Sequence, residues 1–264
     1  MKNARFKPLS TLLMILAVAV AFTGCEKDDT IEFGPNGFNN GIESGIGTNG
    51  ILRQDRLHIV DQDILQDQDR LKLQECKLQI DQLPVVPLTE AEITSVLYNR
   101  EAQKVSRDLY LGFYDNWQLA VFENVANGEQ AHMDAMLFLI DLYDLTDPVG
   151  NNEVGVFYNA ELQERYNIAW ETGLADETAA LREAALIQEM EIAELDAALT
   201  DLVENDHLDL IYNNLVTASG AHLHAFVKYL QLFNIDYEPQ VLSIEAFNAI
   251  MNENWTPGHH GGRK

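Results

Sequence analysis

An acid and an imidazole three residues apart, Glu129 and His132, sit in the stretch Phe122 to Tyr143, FENVANGEQAHMDAMLFLIDLY. Apolar residues there fall at alternating three- and four-residue steps: Phe122, Val125, Met136, Leu139 and Tyr143. Glu129 and His132 take the two middle positions of that series. A helix with this spacing buries one stripe against its neighbours, so both ionisable groups point into a core. Buried ionisable groups are costly unless they are paired, hydrogen-bonded or bound to a metal. An inward Glu-x-x-His is also how helical bundles offer carboxylate and imidazole ligands to a metal ion. Two readings stay open at this point: metal ligands, or a Glu–His pair satisfied by neighbouring side chains.

Three further helices must position these residues. Thr89 followed by Glu92 is a capping box, and it opens a helix running to about Asp115. Its apolar face begins at Ile93, Val96 and Leu97 and ends at Leu109, Tyr110 and Phe113, with a polar interruption from Asn99 to Lys104. Gln103 shares the face of Val96 and Tyr110, whereas Glu101 lies in the row of Leu97, Val105 and Leu109. One of the two is expected to point inward and the other to be an exposed polar residue. The spacing predicts another helix from about Asp176 to Leu199, where Gln188 is the polar member of the Leu181, Leu195, Leu202 seam and Glu189 and Glu191 stand beside it. The last long helix runs from about Leu208 to Phe233, with His222 mid-seam among Leu208, Leu215 and Tyr229, and His224 facing away. Between the second and third of these helices, Asp147-Pro148 and Gly150 break the chain, and a short helix, Ala160 to Glu171, crosses from one end to the other. Glu245 to Met251 makes a final amphipathic piece. Each long helix thus carries a polar residue at mid-length on its apolar side, and in an up-down bundle such positions meet at one level.

The 264 residues suffice for one domain plus tails, and 47% hydrophobic residues can bury a sizeable core. A formal net charge of -25 argues against a nucleic-acid partner, because phosphate backbones need clusters of Lys and Arg. Lys2, Arg5 and Lys7 precede an apolar run from Leu9 to Phe22, followed by Thr23, Gly24 and Cys25. A basic start, a short apolar run and small residues before the break describe a secretory signal peptide over 1–24. The Phe-Thr-Gly-Cys ending resembles a bacterial lipobox, with lipid attached to Cys25, and Glu26-Lys27-Asp28-Asp29 resembles the export signal of surface lipoproteins of Bacteroidota. These resemblances imply secretion across the inner membrane and a lipid anchor in the outer membrane, facing outward. Residues 25–87 then form a tether, rich in Gly and Asn from Gly34 to Gly50. In its second half the two Asp-Gln-Asp triplets, Asp61–Asp63 and Asp67–Asp69, read as a solvated spacer. They lack the glycine and terminal Glu of a calcium loop. Leu71, Leu73, Cys76, Leu78 and Ile80 suggest strand by their two-residue steps, while Leu57, Val60 and Ile64 are spaced as in a helix, and the choice is open. The helical domain spans 88–252, and 253–264, with His259 and His260, is a tail expected to be disordered.

From Leu88 to about Ile250 the chain resembles a ferritin-like domain family of unknown function found in bacteria and archaea. The resemblance rests on the runs Leu88–Ile93, Arg107–Leu111, Phe122–Val125 and, most specific, Glu129–Asp134. Asp147-Pro148, Gly155–Phe157, Ile192–Leu195, His222-Leu223 and Tyr237–Gln240 follow in order. It implies an all-α, ferritin-like four-helix bundle with a short crossover helix, in a superfamily whose members hold two iron or manganese ions and react with oxygen or peroxide. Two departures stand out: the family has glutamate where this chain has Gln103 and Gln188, and Ser219 stands three residues before His222 in place of a second Glu-x-x-His. Glutamine offers a neutral oxygen where hard cations prefer a charged one. The expected ligand set is therefore Glu129, His132, Glu189 and His222, with Glu101 completing the shell, for at most one iron, manganese or zinc ion. The alternative is a metal-free helical binding or structural lipoprotein on a degenerate site.

Overall fold

The computed structural model describes residues 73–253. The signal peptide, Cys25, the Gly/Asn-rich tether, the Asp-Gln-Asp triplets and the histidines of the tail lie outside the described residues. Among the described residues every regular element is a helix. Residues 73–80 are helical, and six helices follow: α1 (Glu90–Trp117), α2 (Ala120–Leu142), α3 (Ala160–Gly173), α4 (Glu177–Asp201), α5 (Asp206–Leu232) and α6 (Ile244–Asn252). Their bounds agree with those read from periodicity to within two residues. The two-residue spacing around Cys76 misleads: Leu73, Cys76 and Ile80 form one helical row facing the core, while Leu78 stands in solvent.

Local chemistry explains the helix starts. Thr89 and Glu92 form the expected capping box, with the Thr89 N–H donating to Glu92 Oε2 at 2.9 Å and the Glu92 N–H donating to Thr89 Oγ1 at 3.2 Å. Asn159, Asp176, Asn205 and Ser243 each accept backbone N–H groups at the starts of α3, α4, α5 and α6, satisfying donors that a helix leaves open. Gln118, at φ 53°, takes the left-handed conformation that ends α1, and only Gln118 and Leu119 separate it from α2.

The four long helices pack in a cycle: α1 on α2, α2 on α5, α5 on α4, and α4 on α1. The shorter α3 lies against α1 and α4, and α6 against α5. The apolar interior falls into two parts. One is built around Tyr110, Phe113, Phe122, Leu181 and Phe226, the other around Val96, Met136, Leu139, Leu195, Leu208 and Tyr212. Between them along α1, α2, α4 and α5 lie Gln103, Glu129, His132, Gln188 and His222, all buried.

The polar interruption of α1 is buried throughout, contrary to the expectation of an exposed residue at Glu101 or Gln103. The connection between α2 and α3 covers it. Lys104, fully buried, donates to Asp108 at 2.5 Å and to the carbonyls of Glu153 and Val156 at 2.8 and 3.2 Å, and sits over the Phe157 ring. Asp108 accepts the Gly155 N–H at 2.9 Å. Gly155, at φ +75°, also lies against the Tyr166 ring, and a side chain there would be strained. Arg100 pairs with Asp147 through two nitrogens and donates to the Met133 carbonyl.

Glu92 serves two helices. Its Oε2 takes the Thr89 N–H, and its Oε1 accepts the N–H groups of Glu204 and Asn205, at 3.0 and 2.9 Å, just before α5. Burial alone would raise its pKa, but these bonds from Thr89, Glu204 and Asn205 outweigh it and leave the pKa below the usual glutamate value. The carboxylate therefore contributes stability at neutral pH that is lost as pH falls through its lowered pKa. Glu92→Ala is expected to cost about 2–3 kcal/mol in urea denaturation, more than one cap alone. Glu92→Gln, which keeps one accepting oxygen, should recover part of that loss.

Candidate metal centre

The register of α2 places Glu129 and His132 one turn apart, facing α5, which supplies His222. All three are buried, and one ligand atom from each lies within 4.8 Å of the others. The Glu129 carboxylate divides between the imidazoles: Oε2 is 3.0 Å from His132 Nδ1 and Oε1 is 3.1 Å from His222 Nδ1. The two rings stack with centroids 5.2 Å apart. From α1, Gln103 Oε1 lies 2.9 Å from His132 Nδ1, and from α4, Gln188 Nε2 donates to Glu129 Oε1 at 2.9 Å. Burial alone would raise the Glu129 pKa, but the neighbouring His132 and His222 bring it down to about 2. The centre therefore holds a carboxylate at neutral pH.

A second buried acid belongs to this layer. Glu191 accepts from Ser106, from Gln188 Nε2 at 2.9 Å and from Ser219 at 3.4 Å. Its pKa is pushed well above the usual range, first by burial and then by the negative charge of Glu129. One acid ionised beside one kept neutral is how two close carboxyl groups avoid mutual repulsion. Each of the four long helices thus contributes two polar residues three positions apart: Gln103 and Ser106, Glu129 and His132, Gln188 and Glu191, Ser219 and His222. Within the layer, Gln103 Nε2, His132 Nε2 and Gln188 Oε1 are buried without a hydrogen-bond partner among the described residues.

Of the five metal ligands expected from sequence, the structure brings Glu129, His132 and His222 together. The carboxylates of Glu101 and Glu189 are engaged elsewhere. Glu101 accepts the N–H groups of Tyr158 and Asn159, at 2.5 and 3.0 Å, and so fastens the start of α3 to α1. Glu189 accepts the Tyr237 hydroxyl at 2.5 Å and the N–H groups of Gln240, Val241 and Leu242, anchoring the chain between α5 and α6. Helical phase is the reason: each residue turns about 100°, so a neighbour of Gln188, or the residue two before Gln103, faces a different wall. Glu191 is the residue that sequence reasoning noted without choosing. The three-residue step from Gln188, equal to that from Glu129 to His132, was the signal for it.

Residues 92–254 match the uncharacterized protein domain family DUF2202, and the chain belongs to that family. It is similar to an uncharacterized protein, MJ0754, of Methanocaldococcus jannaschii, with 36% identity over 179 residues that make up 68% of this chain and 96% of that protein. The crystal structure of hypothetical protein MJ0754 superposes with a TM-score of 0.64, covering 65% of this chain and 98% of that one.

Glu191 also sets a pH dependence. Its folded-state pKa lies above its unfolded value of 4.5, so its contribution is fully present below that value and lost as pH rises toward the folded pKa. Glu191→Gln keeps the shape without the titration. Thermal denaturation in chelator should show the variant gaining on wild type as pH rises above 4.5.

Proposed function

We propose that this chain is a ferritin-like four-helix-bundle protein that binds one divalent transition-metal ion, iron, manganese or zinc, through Glu129, His132 and His222. The observation that carries the reading is the convergence of those three ligand atoms within 4.8 Å, drawn from two helices. Ligands about 2.1 Å from a tetrahedral ion stand about 3.4 Å apart, so ligand atoms now up to 4.8 Å apart would close by as much as about 1.4 Å to share one ion. One oxygen and two imidazole nitrogens suit zinc, iron or manganese. Gln188 faces this set with its Nε2, which donates to Glu129 Oε1 at 2.9 Å. Gln103 and Gln188 stand where the resemblance expects carboxylates, and that limits the charge available to one ion.

A bound ion would supply Lewis-acid or one-electron chemistry. The chain's own residues do the rest: Glu129 binds and neutralises, Gln103 and Gln188 orient, and neutral Glu191 holds a proton within reach of Ser106 and Ser219. The apolar parts of the core on either side keep bulk water from the layer. The basic start, apolar run and Phe-Thr-Gly-Cys ending support attachment to the outer membrane through lipid on Cys25, with the helical body outside.

A metal-free structural role is the second reading. It is favoured by the hydrogen bonds that already satisfy Glu129 from Gln188 and the two imidazoles.

Elemental analysis of protein purified without a histidine tag separates the two. About one equivalent of metal, a thermal stabilisation of about 2–3 kcal/mol at saturating metal, and loss of both in Glu129→Ala and His222→Ala are expected. Metal far below one equivalent after incubation with iron, manganese and zinc, with no stabilisation, leaves the structural reading. For the anchor, Cys25→Ser should move the protein from the membrane fraction to the soluble fraction, as seen by detergent partitioning.

A further inference from the structure

A half-open pocket of about 30 Å³ adjoins the candidate metal centre at His132, lined also by Cys76 and Asn214 among apolar walls that include Ala131, Ile211 and Leu215. That volume accommodates about two water-sized atoms. Leu73 and Cys76 line it from the N-terminal side, ahead of the residues matched by the family, 92–254. One polar feature points to an occupant. His132 uses Nδ1 toward Glu129 and Gln103, while Nε2, across the ring, is buried without a partner among the described residues. Asn214 Nδ2 donates to Cys76 Sγ at 3.1 Å.

We propose that this cavity admits hydrogen peroxide and that Cys76 is the thiol it oxidises. A ligand of two heavy atoms that both donates and accepts hydrogen bonds matches the volume, and the apolar walls disfavour charged alternatives. Nε2 of His132 supplies a hydrogen-bonding partner in either tautomer. The Asn214 amide donates toward the charge that develops on sulfur as its proton leaves. The thiolate attacks one peroxide oxygen, an S–O bond forms as the O–O bond breaks, and the departing hydroxide takes up the thiol proton as water. Sulfur is oxidised by two electrons and peroxide is reduced by two. The step uses no metal and stands apart from the reading above.

The test uses the full chain in chelator, so that the absence of metal binding cannot affect the result. Sulfenic acid on the Cys76 peptide is trapped with dimedone and quantified by mass spectrometry after exposure to hydrogen peroxide or to the bulky cumene hydroperoxide. In the folded protein hydrogen peroxide should label Cys76 and cumene hydroperoxide should do so about tenfold more slowly or less, a difference abolished in urea. Ala131→Leu, which fills the cavity from its half-buried rim, should slow the peroxide reaction by about tenfold. A Cys76 that stays reduced in the folded protein, or equal rates with the two oxidants, overturns the proposal. If Ala131→Leu does not fold, the comparison of oxidants on wild type decides alone.

Discussion

An ionised carboxylate in a protein interior must be met by partners that replace water, and Glu129 sets that condition for this fold. Taking such a charge out of water costs several kcal/mol. The cost is offset by two imidazoles and an amide, from α2, α5 and α4. Three helices therefore have to agree in depth and rotation before the charge is tolerated. The fourth joins through Gln103, whose Oε1 meets His132 Nδ1. With or without an ion, the layer is a single network, and a partly satisfied network of this kind is worse than an apolar core.

The same economy explains the other buried charges. Lys104 with Asp108, and Arg100 with Asp147, hold the long connection between α2 and α3 against the face of α1. Glu101 and Glu189 each collect backbone N–H groups from irregular segments that pass over the helices. Such segments have backbone groups that no helix or sheet ladder satisfies. A carboxylate on a rigid helix is a compact way to supply several acceptors at once. These acids are buried for the sake of the connections, which is why burial and charge alone could not separate them from metal ligands.

The helices were legible because their apolar seams are regular over many turns and their starts carry recognisable caps, Thr89–Glu92 above all. Glu129, His132 and His222 could be found because each interrupts a seam at mid-length. Glu101 and Glu189 could not be assigned, since their partners are backbone groups brought by connections whose path no periodicity reports. Glu191 was hidden for a related reason: three polar residues, Gln188, Glu189 and Glu191, crowd one turn of α4, and only the facing helices decide which of them point into the layer. The strand-like steps near Cys76 failed because alternation over a few residues cannot be told from one helical row plus an exposed leucine.

Glu92 ties the first turn of α1 to the residues entering α5 with one side chain. Those helices belong to different hairpins, and hairpins packed through smooth apolar surfaces are free to slip lengthwise. One turn of slip is 5.4 Å, more than the reach of any contact at Glu129. The carboxylate at the end of these helices thus acts as a vernier stop: by forbidding axial sliding away from the buried layer, it keeps the rungs contributed by separate hairpins opposite one another.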